Sequence, residues 1–272
     1  MCHLIKYNNI RKGNAMKDPH VEILYYKLKT PETTIYENPP VVKFIRNEFE
    51  SHLEDGILTC QMREHFPTVK EARRVVEDFL HSWEIKADLE VGHGEIRFQF
   101  KDSHVIDRDP PPPGTPKKVC CSGTAILTSN VSAILSVRRR KYPDPPTVFK
   151  VTPDVEILWR RYKKYLDGKA ELLPMAYACL TFVETKAGGR ESAAKLYLIS
   201  NKILETLGNL TFNLGDDMTA RKYHKKRNIK ELSGKEIKWI EAALKLLIQR
   251  TGELENIQLI QPITMNDLPK VL

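Results

Sequence analysis

Residues Arg140–Thr152, RKYPDPPTVFKVT, divide the chain. Upstream of them the apolar residues come in short alternating runs; downstream they recur at helical spacing. Alternation at period two reads as strands and recurrence at three and four as helices, so the two sides are expected to fold differently. The expectation is an α+β fold: an antiparallel sheet with one packed helix over residues 16–140, a proline-rich linker over 141–152, and an all-α four-helix bundle over 153–262. Residues 1–15 and 263–272 are expected to be loose. Met16 opens MKDPHVEILYYKL, where ordered patterning begins, so it is an alternative start to Met1.

Upstream, Val21–Leu28, Ile57–Met62 and Gly94–Phe100 carry the β-branched and aromatic residues of strands. Asp55-Gly56 ahead of Ile57 suits a tight hairpin turn, since glycine tolerates positive φ. Thr124–Leu127 and Ala133–Val137, parted by Thr128-Ser129-Asn130, read as a further hairpin. In residues 40–54, Val41, Ile45, Phe49 and Leu53 fit a helix, whereas Phe49, Ser51 and Leu53 fit a strand; a strand from Glu48 is favoured. Thr68 and Glu71 open a helix in which Ala72, Val75, Val76, Phe79, Leu80 and Trp83 form an apolar stripe, a face that must lie on a sheet. Pro110–Pro113 reads as an exposed extended connector.

Downstream, Thr152-Pro153-Asp154 is a helix start, with a capping hydroxyl, a proline at the first helical position and an acid at the positive end of the dipole. That helix is expected to run to Leu166, before Gly168. A second spans Leu172–Val183, with Pro174 in its first turn and Gly188-Gly189 after it. A third is expected over Glu191–Leu207, burying Leu196, Ile199, Ile203 and Leu207, before Gly208. The fourth opens on the capping box of Ser233 and Glu236, carries Ile237, Ile240, Leu244, Leu247 and Ile248, and is followed by Gly252.

Composition bounds the function. The 272 residues are 41% apolar and 29% charged, the balance of a chain with real cores. The longest strongly apolar stretch, Met175–Val183, falls far short of the roughly 20 residues of a bilayer span. A cytoplasmic protein with no membrane contact is expected. Five cysteines, Cys2, Cys60, Cys120, Cys121 and Cys179, follow no paired metal-ligand spacing and read as reduced thiols, so no metal or cofactor is expected. P-loop, dinucleotide-binding, nucleophile-elbow and HExxH patterns are absent from the sequence.

Charge is uneven: residues 1–140 carry a net +2 and residues 141–272 a net +6. Much of the excess lies in Arg221-Lys222-Tyr223-His224-Lys225-Lys226-Arg227-Asn228-Ile229-Lys230, six cations in ten residues with no acid. Like charges at that density repel unless an anion neutralises them, and Tyr223 adds a stacking surface. Arg221, Lys222, Tyr223, Lys225, Lys226 and Arg227 are therefore the candidate nucleic-acid-binding residues. Arg138-Arg139-Arg140 and Arg160, Arg161, Lys163 and Lys164 would enlarge the patch if they share its face.

A small helical bundle resembles, in architecture, the HEPN-type ribonucleases, whose signature is an arginine followed by four to six residues and a histidine. Three pairs have that spacing: Arg46 with His52, Arg74 with His81, and Arg97 with His104. Chance supplies a similar number, and Arg74, Glu77, Asp78 and His81 also fit an exposed ladder of i,i+4 ion pairs. Met175-Ala176-Tyr177, Ala220-Arg221-Lys222, then Leu232, Glu236, Trp239, Ala243, Leu247 and Arg250-Thr251-Gly252-Glu253 resemble a group of uncharacterised bacterial proteins. That resemblance implies a bacterial cytoplasmic protein and no particular activity.

Three functions follow as expectations. The first is a non-enzymatic regulatory or defence-associated module whose basic connector contacts nucleic acid, chiefly through phosphates. The second is a protein-interaction or assembly module, binding another protein or itself through an apolar groove of the bundle. The third is a ribonuclease-like hydrolase using residues such as His65, His81 or Asp107.

Overall fold

A computed structural model describes residues 16–109, 137–213 and 232–270. The expected hairpin at Thr124–Leu127 and Ala133–Val137 lies outside the described residues except for Val137, and the Pro110–Pro113 connector and residues 1–15 lie wholly outside them. The chain forms two compact units, one of residues 1–77 and 97–142 and the other of residues 78–96 and 143–272.

In the first unit, β1 (Pro19–Lys29), β3 (Val42–Ile45), β4 (Phe49–Glu54), β5 (Ile57–Met62) and β6 (Arg97–Asp107) form an antiparallel sheet in the order β3-β4-β5-β1-β6. Along β4 burial alternates strictly, with Phe49, Ser51 and Leu53 inward. Residues 40–54 are thus two strands, and the helical alternative is excluded: period-two burial, not a stripe every third or fourth residue, satisfies these side chains. Glu54 pairs with Ile57, so Asp55-Gly56 is a two-residue turn with φ of 48° and 71°, positive at both positions as a type I′ hairpin requires. The strand expected to end at Phe100 continues to Asp107 along β1, with register shifts between Val21 and Ile23 and between Tyr25 and Tyr26. A second, parallel ladder joins β2 (Thr34–Tyr36) to β7 (Val137–Arg139).

Helix α1 (Val69–Glu90) starts as its sequence indicates. The Glu71 N–H donates to the Thr68 hydroxyl at 3.3 Å, and that hydroxyl donates to the Glu71 carboxylate at 2.9 Å. Its first half belongs to the sheet unit, where Ala72 and Val76 are buried and the Arg73 guanidinium lies 4.2 Å from the centre of the Phe100 ring. The helix outruns the expected stripe, and its second half belongs to the other unit. There Ile85 and Leu89 join the helical core, and the Trp83 indole N–H donates to the Pro143 carbonyl at 3.0 Å.

The second unit contains α2 (Pro153–Leu166), α3 (Leu172–Ala187), α4 (Arg190–Leu196), α5 (Asn201–Asn213) and α6 (Gly234–Glu253). Thr152 caps α2 through the Val155 N–H, and Ser233 and Glu236 complete a reciprocal capping box on α6 at 3.2 and 2.7 Å. Gly188, at φ 82°, closes α3 in the left-handed conformation. The core packs Trp159, Leu180, Leu207, Trp239 and Leu247 at 5% exposure or less.

Expectations for the third and fourth helices are corrected. The single helix expected over 191–207 is two helices, because Leu198 turns to a φ of 49° and the chain there pairs with a distant segment: Ile263 N–H donates to Leu198 O and Ser200 N–H to Ile263 O, both at 2.8 Å. Leu196, expected in the core, is 45% exposed at the end of α4, and α5 runs through Gly208 instead of stopping before it. Gly252 does not end α6 either. It lies inside the helix, where a Cβ would meet the Phe149 ring at 2.4 Å, so glycine is present for a close approach and not for a turn.

Candidate functional site

The basic run proposed from sequence, Arg221, Lys222, Tyr223, Lys225, Lys226 and Arg227, lies outside the described residues; its described neighbours are the end of α5 at Asn213 and the capped start of α6. Four of the cations expected to extend it, Arg138, Arg160, Lys163 and Lys164, have local roles. Arg138 Nη1 lies 3.1 Å from Glu37 Oε1 and Arg160 Nε 3.6 Å from Glu156 Oε2. Lys163 and Lys164 occupy the last turn of α2, where positive charge complements the helix dipole.

Two of the three catalytic candidates meet in the sheet unit. Asp107, at the end of β6, accepts the backbone N–H groups of Asp18 at 3.0 Å, Asp109 at 3.2 Å and Lys17 at 3.2 Å. The Asp18 bond is the largest cause holding its carboxyl below the usual range, helped by the other two and opposed by desolvation. His65, in the loop between β5 and α1, places Nε2 at 3.4 Å from Asp18 Oδ1, while the other Asp18 oxygen lies 3.6 Å from Arg108 Nε.

His20, which the sequence reading did not single out, completes the cluster. Its ring stacks on His65 with centroids 5.4 Å apart and an interplanar angle of 28°. Its Nδ1 accepts the Phe66 N–H at 3.4 Å, and next to it the Val21 N–H donates to the Phe66 carbonyl at 2.9 Å. Only an unprotonated Nδ1 can accept that N–H. Burial, then His65 and Arg108, holds the His20 imidazole below the ordinary histidine value, against the pull of Glu22 and Asp18. Two cations, Lys17 and Arg108, face three carboxylates, Asp18, Asp107 and Asp109, and Lys17 is itself 3.4 Å from Asp109. A carboxylate-rich cluster whose oxygens are already engaged attracts no phosphate.

The third candidate, His81, lies elsewhere. Its Nε2 is 2.9 Å from Glu156 Oε1, so that partner is on α2 and not on its own helix, while α1 pairs Arg73 with Glu77 at 2.8 Å and Lys86 with Glu90 at 2.7 Å. Of the other spaced histidines, His104 Nδ1 meets Glu22 Oε2 at 2.8 Å. In the helical unit His93 stands between two aspartates, 3.7 Å from the buried Asp88 and 3.5 Å from Asp167. Cys60 and Cys179 are buried free thiols pushed up to about 12 by burial, which leaves them protonated and inert as nucleophiles. One surface cavity of about 420 Å³ is lined by Glu191, Ala194, Lys195, Ile199 and Asn201. Among the described residues no group of three or more His, Cys, Asp or Glu is placed to hold a metal ion, and no helix is long and apolar enough to cross a membrane.

Compared with protein-family models, with curated proteins and with solved structures, the chain matches none.

Proposed function

We propose that this chain is a non-catalytic regulatory or defence-associated module that grips nucleic acid through Arg221, Lys222, Tyr223, Lys225, Lys226 and Arg227. The observation that carries the reading is the run itself, six cations in ten residues without an acid. Elsewhere many surface cations have a carboxylate at hand: Arg73 with Glu77, Lys86 with Glu90, Arg138 with Glu37, Lys150 with Glu255 and Lys186 with Asp154. The run supplies itself with no such partner, so a polyanion is its natural counterion, and phosphate contacts are blind to base sequence.

Gel shifts and salt titration on the full chain test this. Wild-type protein is expected to bind single- and double-stranded probes of unrelated sequence, with log K falling by about 0.7–0.9 per phosphate contact for each unit of log salt. Replacing Arg221, Lys222, Lys225, Lys226 and Arg227 together by alanine is expected to abolish most of that slope. No wild-type binding at low salt ends the proposal.

A further inference from the structure

We propose that the stacked His20–His65 pair is an acid-operated clamp, closed while His20 is neutral, that ties the loop between β5 and α1 to the start of β1. The proposal concerns the sheet unit and is independent of the basic run.

The clamp consists of two bonds to one residue of the loop: Val21 N–H to the Phe66 carbonyl at 2.9 Å, and Phe66 N–H to His20 Nδ1 at 3.4 Å. A proton on Nδ1 removes the acceptor and sets a donor against a donor, so the second bond is lost outright. The new charge would also face the His65 ring, stacked at 5.4 Å, whose Nε2 lies 3.4 Å from Asp18 Oδ1.

The charged groups around His20 come from three elements. Asp18 and Glu22, from β1 and the residues before it, favour protonation; His65 from the loop and Arg108 from the end of β6 oppose it, together with burial, which is the largest cause. The favouring carboxylates are occupied, Asp18 by His65 and Arg108 and Glu22 by His104 at 2.8 Å. The opposing causes therefore win, and the folded value lies below the unfolded one. It follows that the clamp contributes fully above about pH 6.5 and is lost as pH falls through the lower folded value. Pro67 and Thr68 come next after Phe66, and Thr68 caps α1. Acid sensed at His20 is thereby passed to the first turn of that helix.

Imidazole titration by NMR and amide exchange on the full chain decide the matter. His20 is expected to titrate below an ordinary histidine, and the protection factor of the Phe66 amide to fall by up to about tenfold per pH unit below about pH 6.5, levelling off at the folded value. His20→Asn keeps an acceptor without a titrating group and is expected to hold Phe66 protection constant across that range. His65→Gln is expected to raise the His20 value. A wild-type His20 that titrates at or above the ordinary value, or Phe66 protection that does not change with pH, overturns the proposal, and both are read on wild-type protein should either variant fail to fold.

Discussion

Gly252 and Gly234 stand in the same helix with opposite surroundings. A Cβ at Gly252 would sit 2.4 Å from the Phe149 ring and 3.0 Å from the Lys150 carbonyl, whereas at Gly234 nothing lies within 4 Å. Gly252→Ala is expected to cost about 1–3 kcal/mol by overpacking. Gly234→Ala is expected to stabilise by up to about 1 kcal/mol through the unfolded chain. Urea denaturation checks both: the midpoints should move in opposite directions with the slope unchanged. A glycine beyond a periodic stripe reads as a helix stop, and nothing local in the sequence distinguishes that from a glycine admitting an aromatic ring from about a hundred positions away. His20 was illegible for the same reason. It acquires a role only when β1 and the loop at His65 are brought together, and no spacing rule spans the interval between them.

Elements whose signal is local were readable. The turn at Asp55-Gly56 was, because its two positive φ angles suit few residues other than these. Since a Cβ on Gly56 would touch nothing within 4 Å, Gly56→Ala tests backbone conformation alone and is expected to destabilise by about 1 kcal/mol at its φ of 71°. Asp55→Gly is expected to be close to neutral, and thermal melts of the two variants give the comparison. The capped starts of α1, α2 and α6 were readable too, each from a hydroxyl or carboxylate within three residues of the helix. Elements defined by distant partners were not. The break between α4 and α5 rests on Ile263, and the parallel β2–β7 ladder pairs Thr34 with Val137 over three residues on each side. Neither segment has a periodicity of its own long enough to register.

At the scale of the molecule, the α+β organisation was legible because the two apolar periods occupy separate stretches of sequence. The proposed basic site was legible only as composition. What the change of period did not reveal is that residues 78–96, upstream of the proline-rich stretch, belong with the helices that follow it. Ile85 and Leu89 are 1% and 5% exposed and share one core with Trp159, Tyr162 and Leu173. A fragment of residues 143–270 is therefore expected to melt less cooperatively and at lower temperature than the same residues mixed with a peptide of residues 78–96. Calorimetry measures the difference, and identical melts would show that those two side chains contribute nothing to the core.

The allocation of α1 to both units also has a consequence during synthesis. The ribosome delivers the second half of that helix well before the helices of its own unit, so Ile85 and Leu89 leave the exit tunnel ahead of the core residues they join. Until those helices are made, Ile85 and Leu89 stay uncovered on the nascent chain, an apolar surface on which a holding chaperone can act.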